Sequence, residues 1–118
     1  MDCKNAKEVL GVLCFSVADA TEFSEEKRVR KAIFKEDSLK VEMLCYLPGQ
    51  AIPVHHHPKE DEVFFIVEGE AVMHVDGEEK RLVPKDLVFV PANSKHSISN
   101  PGPGNLVAVF TKADRPAV

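Results

Sequence analysis

The sequence predicts an all-β fold, and three observations predict it. Helical periodicity is nowhere sustained, apart from a possible short turn near residues 5–10. Short runs rich in Val, Ile, Leu and Phe are separated by Gly, Pro, Asn and Asp, the pattern of a sandwich or barrel. A chain of 118 residues can bury one core but not two.

The elements follow in order. Strands are expected over 12–17, an apolar run, and over 29–35, which opens in the basic cluster Lys27 to Lys31. That cluster alternates with Val29 and reads as a solvated strand face rather than a phosphate clamp. Glu36-Asp37-Ser38 supplies a turn into a strand over 39–47. There Leu39, Val41, Met43, Cys45 and Leu47 are apolar and alternate with Lys40 and Glu42, so the odd set is assigned to the inner face. Further strands are placed at 54–57, 62–67 and 71–75. Asp76-Gly77 is a type I′ hairpin signal leading into 80–83. Strands at 87–90, 96–99 and 106–111 complete the set. The expected organisation is an N-terminal segment (1–27), a barrel (28–112) and a loose tail (113–118).

The chemistry is concentrated in GQAIPVHHHPKEDEVFFIVEG, residues 49–69. On an extended strand His55 and His57 point to one face, and His56 points away. Glu62 follows after Pro58-Lys59, and His96 lies downstream in another extended run. Three imidazoles and one carboxylate suit one first-row divalent ion per chain (iron, manganese, nickel or zinc) and are too nitrogen-rich for calcium.

These residues resemble the cupin superfamily. Gly49, His55, His57, Glu62 and Gly69 match its first motif, G-x5-H-x-H-x3–4-E-x6-G, without a gap. Asp61 also satisfies the histidine-to-acid spacing, but only Glu62 stands seven residues before Gly69. The second motif, G-x5-P-x-G-x2-H-x3-N, maps onto 85–100, where Pro91, His96 and Asn100 match. Lys85 and Asn93 stand where the family has glycine. Asparagine tolerates a left-handed turn, and Asp86 beside Lys85 keeps turn chemistry. The resemblance implies a double-stranded β-helix, or jelly-roll barrel, with His55, His57, Glu62 and His96 as metal ligands and a structural role for Asn100. It also implies a range of activities, from dioxygenase and decarboxylase to isomerase, among which the fold does not choose.

Two functions are expected from the site. One is an enzyme, oxygenase-like in the first instance, acting on a small molecule chelated to the metal. The other is a non-catalytic module that binds or senses such a ligand. A complete ligand set disfavours a purely structural barrel. With Val41, Met43, Cys45, Phe64, Ile66 and Met73 assigned inward, the pocket suits a partly apolar ligand and serves a sugar phosphate poorly, unless Arg28 or Arg30 faces in. Cys45 is expected to pack in the core, and His74 to lie exposed or at an interface.

The outward set Leu44, Tyr46, Val63, Phe65 and Val67 is too apolar for a wetted face. A homodimer is expected to cover it, the alternative being the N-terminal segment folding over it. The net charge of −4 argues against a nucleic-acid partner. Cys3, Cys14 and Cys45 lack metal or disulfide-framework spacing, and as free thiols they point to the cytoplasm. The apolar run at 9–17 is too short to span a membrane and lacks the basic start of a signal peptide.

Overall fold

The computed structural model describes residues 7–9 and 11–116. In chain order the elements are β1 (Lys7–Val9), β2 (Val12–Cys14), the short α1 (Val17–Ala20), β3 (Val29–Lys35), β4 (Leu39–Tyr46), β5 (Glu60–Glu68), β6 (Ala71–Val75), β7 (Glu78–Leu82), β8 (Leu87–Val90), β9 (His96–Ser99) and β10 (Leu106–Asp114). A five-stranded sheet ordered β3-β4-β10-β5-β8 faces a three-stranded sheet ordered β7-β6-β9. The all-β double-stranded β-helix is therefore the observed fold.

Register explains how the inner face is built. Lys112 on β10 lies opposite Lys40 on β4 and Glu62 on β5; Phe110 lies opposite Glu42 and Phe64; Ala108 lies opposite Leu44 and Ile66. Directly opposed residues share a face, so all of these point into the barrel. The interior is then filled by Leu44, Tyr46, Phe64, Ile66, Met73, Ile98 and Leu106.

This reverses the expected parity of β4. Met43 and Cys45 face outward, and with Val41 they join a smaller apolar cluster on the outer face that contains Ile33, Val107, Phe15, Val17, Ala20 and Phe23. The N-terminal segment covers this half of the outer face, and Leu44 and Tyr46 belong to the interior. Strand β5 keeps its expected parity: Glu62, Phe64 and Ile66 are buried, while Val63, Phe65 and Val67 are partly exposed.

Other elements differ in detail. Residues 54–57, flanked by Pro53 and Pro58, form no strand. Only His55 pairs, with His96, through reciprocal backbone bonds of 2.9 and 2.8 Å. Residues 7–9 of the expected turn near 5–10 are strand β1, and the rest of that stretch, 5–6 and 10, lies outside the described residues. Residues 15–17 of the expected 12–17 strand are not in β2, and α1 begins at Val17, with Ser16 as its N-cap. The tail is held as far as Arg115, whose amide donates to the Lys59 carbonyl while its guanidinium pairs with Asp61 at 2.6 Å. Cys14 is disulfide-bonded, which removes the free-thiol argument for a reducing compartment, and Cys45 is a buried free thiol. Among the described residues no helix is long and apolar enough to cross a membrane.

The turns carry the expected chemistry. Asp76 (φ 49°) and Gly77 (φ 87°) both take positive φ, as a type I′ hairpin requires. Lys85 (φ 78°) and Asn93 (φ 70°) occupy the left-handed region in which the motif places glycine. Gly69 cannot be replaced so freely, because a Cβ there would run into the Asn105 carbonyl.

Candidate metal centre and adjoining pocket

The structure brings His55, His57, Glu62 and His96 together, one donor atom from each lying within 4.8 Å of the others. Ligands at about 2.0–2.2 Å from one ion lie up to about 4.4 Å apart when opposed, so small side-chain adjustments close the set. Each residue comes from a different constraint. Glu62 is on the inner face of β5; His96 opens β9; His55 is clamped to it by the backbone pair; His57 shares the parity of His55. His56 is exposed, as expected, and so is His74, which lies 3.5 Å from Glu79.

Backbone carbonyls orient two of the rings. Nδ1 of His96 lies 2.9 Å from the Ser94 carbonyl, and Nδ1 of His55 lies 2.9 Å from that of Pro53. A carbonyl accepts only, so each Nδ1 carries the proton and each Nε2 presents its lone pair to the cluster. His96 Nε2 then faces Glu62 Oε1 at 3.1 Å, and His57 Nε2 faces the same oxygen at 3.3 Å.

Both His96 Nε2 and Glu62 Oε1 are buried without a satisfying hydrogen bond. Two opposed acceptors in a dry site repel unless a cation serves them both. A proton is one such cation: burial works against a charged His96, but Glu62 and the Ser94 carbonyl outweigh it and raise its pKa above the ordinary imidazole value. A divalent metal is the other, and it satisfies all four donors together. His57 suits that role, since burial, helped by His55 and Lys112, outweighs Glu62 and Glu60 and lowers its pKa, leaving the ring neutral. The residues present therefore fit a metal ion.

Asp61, the rival carboxylate, is taken by Arg115 and by the Ala92 amide at 2.8 Å. Those two partners lower its pKa, in that order of influence, and Glu62 is left to the centre. Asn100 is structural, its amide donating to the carbonyls of Tyr46 and Gly104 and its oxygen accepting from the Gly102 amide.

A model of the cupin domain matches residues 42–111, more than half of the chain. The chain belongs to the cupin family. Among curated relatives, this cupin is 43% identical over 49 residues to quercetin 2,3-dioxygenase of Bacillus subtilis, a match covering 42% of the chain and 14% of that protein. It is 34% identical over 55 residues to an oxalate-binding protein of Thermotoga maritima, covering 47% of the chain and 46% of that protein. Both matches span less than half the length of those relatives. Among solved structures, the protein TT1209 from Thermus thermophilus superposes with a TM-score of 0.80 at 30% identity, covering 86% of this chain and 96% of that one.

Beside the centre is a cavity of about 80 Å³ lined by His55, His57 and Glu62, by apolar Leu44, Ile52, Phe64, Ile98 and Phe110, and by Arg30 and Lys112. Met43 and Cys45 do not reach it, and burial, the leading influence on the Cys45 thiol, raises its pKa and keeps it protonated. Of the two arginines that could face in, Arg30 does so from the half-exposed mouth of the cavity, and Lys112 joins it. Both pair with Glu42, Arg30 through two bonds of 2.8 and 2.9 Å and Lys112 at 3.0 Å. Burial works against the Glu42 carboxylate, but Arg30 and Lys112 outweigh it and lower its pKa. Lys112 lies just past the strand expected over 106–111, which runs on as β10 to Asp114 and so sets Lys112 opposite Lys40 and Glu62.

Proposed function

We propose that this cupin is a metal-dependent enzyme acting on a small molecule held to the ion through oxygen, with oxygenase chemistry as the favoured reaction. The observation that carries the reading is the buried pair of acceptors, Glu62 Oε1 and His96 Nε2, 3.1 Å apart. His55, His57, Glu62 and His96 would hold one divalent ion, which supplies Lewis-acid chemistry or, if it is iron, dioxygen chemistry. The chain's own contribution is to fix two histidine tautomers through the Ser94 and Pro53 carbonyls and to present an apolar wall that excludes water. The likeness to a dioxygenase over part of the chain supports this reading. Elemental analysis of protein purified without an affinity tag, followed by an oxygen-uptake screen, tests it. Oxygen consumption with a chelating substrate is the expected result, and metal-loaded protein inert across the screen counts against it.

One observation favours a second reading, a non-catalytic module that binds the same ligand. Among the described residues lining the cavity, no acid or base is left uncommitted: Glu62 belongs to the metal set, and Arg30 and Lys112 are tied to Glu42. Ligand recovered unchanged from metal-loaded protein supports it.

Self-association is proposed as well. Val63 and Phe65 on β5 lie opposite Phe89 and Leu87 on the sheet-edge strand β8, and Leu87 and Phe89 are 67% and 59% exposed. Light scattering at micromolar concentration should report twice the chain mass; a monomer contradicts it.

A further inference from the structure

We propose that the cavity beside the metal centre takes a small dicarboxylate, one carboxylate on the metal and the other on Arg30 and Lys112. The inference rests on the metal reading above and adds the class of ligand. Lys112 is nearly buried, its side chain 10% exposed, and its partner Glu42 is 13% exposed. Glu42 is shared with Arg30, whose side chain is 49% exposed at the cavity mouth, so one carboxylate serves two cations. One cation in excess, with Lys112 nearly dry and Arg30 at the solvent-reached mouth, favours an anion there.

The metal end has the same sign. With neutral histidines, a divalent ion and Glu62 leave one positive charge, and Arg30, Lys112 and Glu42 leave another. Two separated positive charges match a ligand with two separated negative ones. The fold sets them side by side, because Lys112 is the direct cross-strand neighbour of Glu62. Arg30 and Lys112 both sit by the Phe110 ring, 5.8 and 5.6 Å from its centroid. Phe110 stacks on Phe64 at 5.1 Å, and Phe64 meets His96 at 6.0 Å. An apolar wall therefore joins the two charged ends and suits a short methylene spacer, whereas phosphate concentrates its charge at one point.

Size narrows the class. In a measure by which one water needs about 10–15 Å³, the 80 Å³ cavity holds roughly five to eight non-hydrogen atoms. Malonate and succinate, with one and two methylenes between their carboxylates, fall in that range.

The test is calorimetric titration of the metal-loaded protein with malonate, with propionate, malonamide and inorganic phosphate as comparators. Malonate should bind at least about tenfold more tightly than each comparator. Lys112→Gln should weaken malonate by about tenfold while metal content, read by elemental analysis, is unchanged. If Lys112→Gln does not fold, Arg30→Gln at the half-exposed mouth carries the same expectation. Malonate binding no tighter than propionate or phosphate, or affinity unmoved in both variants, overturns the proposal. If elemental analysis finds no metal, the reading beneath it fails separately. Malonate binding to that metal-free protein, lost in Lys112→Gln, would still establish the cationic subsite, and its absence would end it.

Discussion

Two polar clusters share one wall of the barrel, and they are imbalanced in opposite directions. Around Glu62 and His96 there are acceptors without donors; around Glu42 there are two cations and one carboxylate. Each would be costly alone in a nearly dry interior. Placed opposite one another across β5, β10 and β4, they describe a site completed by a cation at one end and an anion at the other. The lesson is that a polar group left unserved by the chain's own partners is informative about the ligand, and its sign says which kind.

The acceptor cluster should break hardest. Glu62→Ala or His57→Ala should lower metal occupancy by about tenfold or more, read by elemental mass spectrometry, because each removes a direct ligand. Stripping the ion with a chelator should cost about 4 kcal/mol if the ion stands near 1,000-fold above its dissociation constant, seen as a lowered Tm. Moderate acid should release the metal as well, since protons compete with the ion for the imidazole nitrogens.

The donor cluster should break less. Glu42→Ala leaves Lys112 nearly buried without its carboxylate and should cost about 2–3 kcal/mol in denaturant melts, a value below the fully buried range because Arg30 is half exposed. Its pH dependence follows from the lowered pKa of Glu42. The ordinary glutamate value is about 4.3. The stabilisation is fully present above that value and is lost as pH falls through the lower folded-state pKa. Melts of Glu42→Gln should therefore lose less stability than wild type between about pH 5 and 3.

The smallest effects lie outside both clusters. Lys85→Gly should be neutral or stabilise by up to about 1 kcal/mol, because relief of a left-handed φ is set against glycine's entropy. His56→Ala should stay within about 0.5 kcal/mol and keep its metal, as expected for an exposed side chain.

The fold and the acceptor cluster were legible because period-two parity and fixed spacing act locally. His55 and His57 share a face, Glu62 sets the parity of β5, and Asp76-Gly77 announces its hairpin. Strand β4 was not legible for a physical reason. Met43 and Cys45 are buried on one face and Leu44 and Tyr46 on the other, so alternation gave no direction, and Glu42, which faces inward, was assigned outward with Leu44 and Tyr46. The donor cluster was hidden in the same way. Arg30, Glu42 and Lys112 come from three strands, and only the pairing register unites them.

The most direct test of the central claim is the metal content of tag-free protein compared across wild type, His57→Ala and His56→Ala. One divalent ion per chain is expected in wild type and in His56→Ala, and little in His57→Ala. A folded wild type without metal, or loss in His56→Ala with retention in His57→Ala, would contradict it.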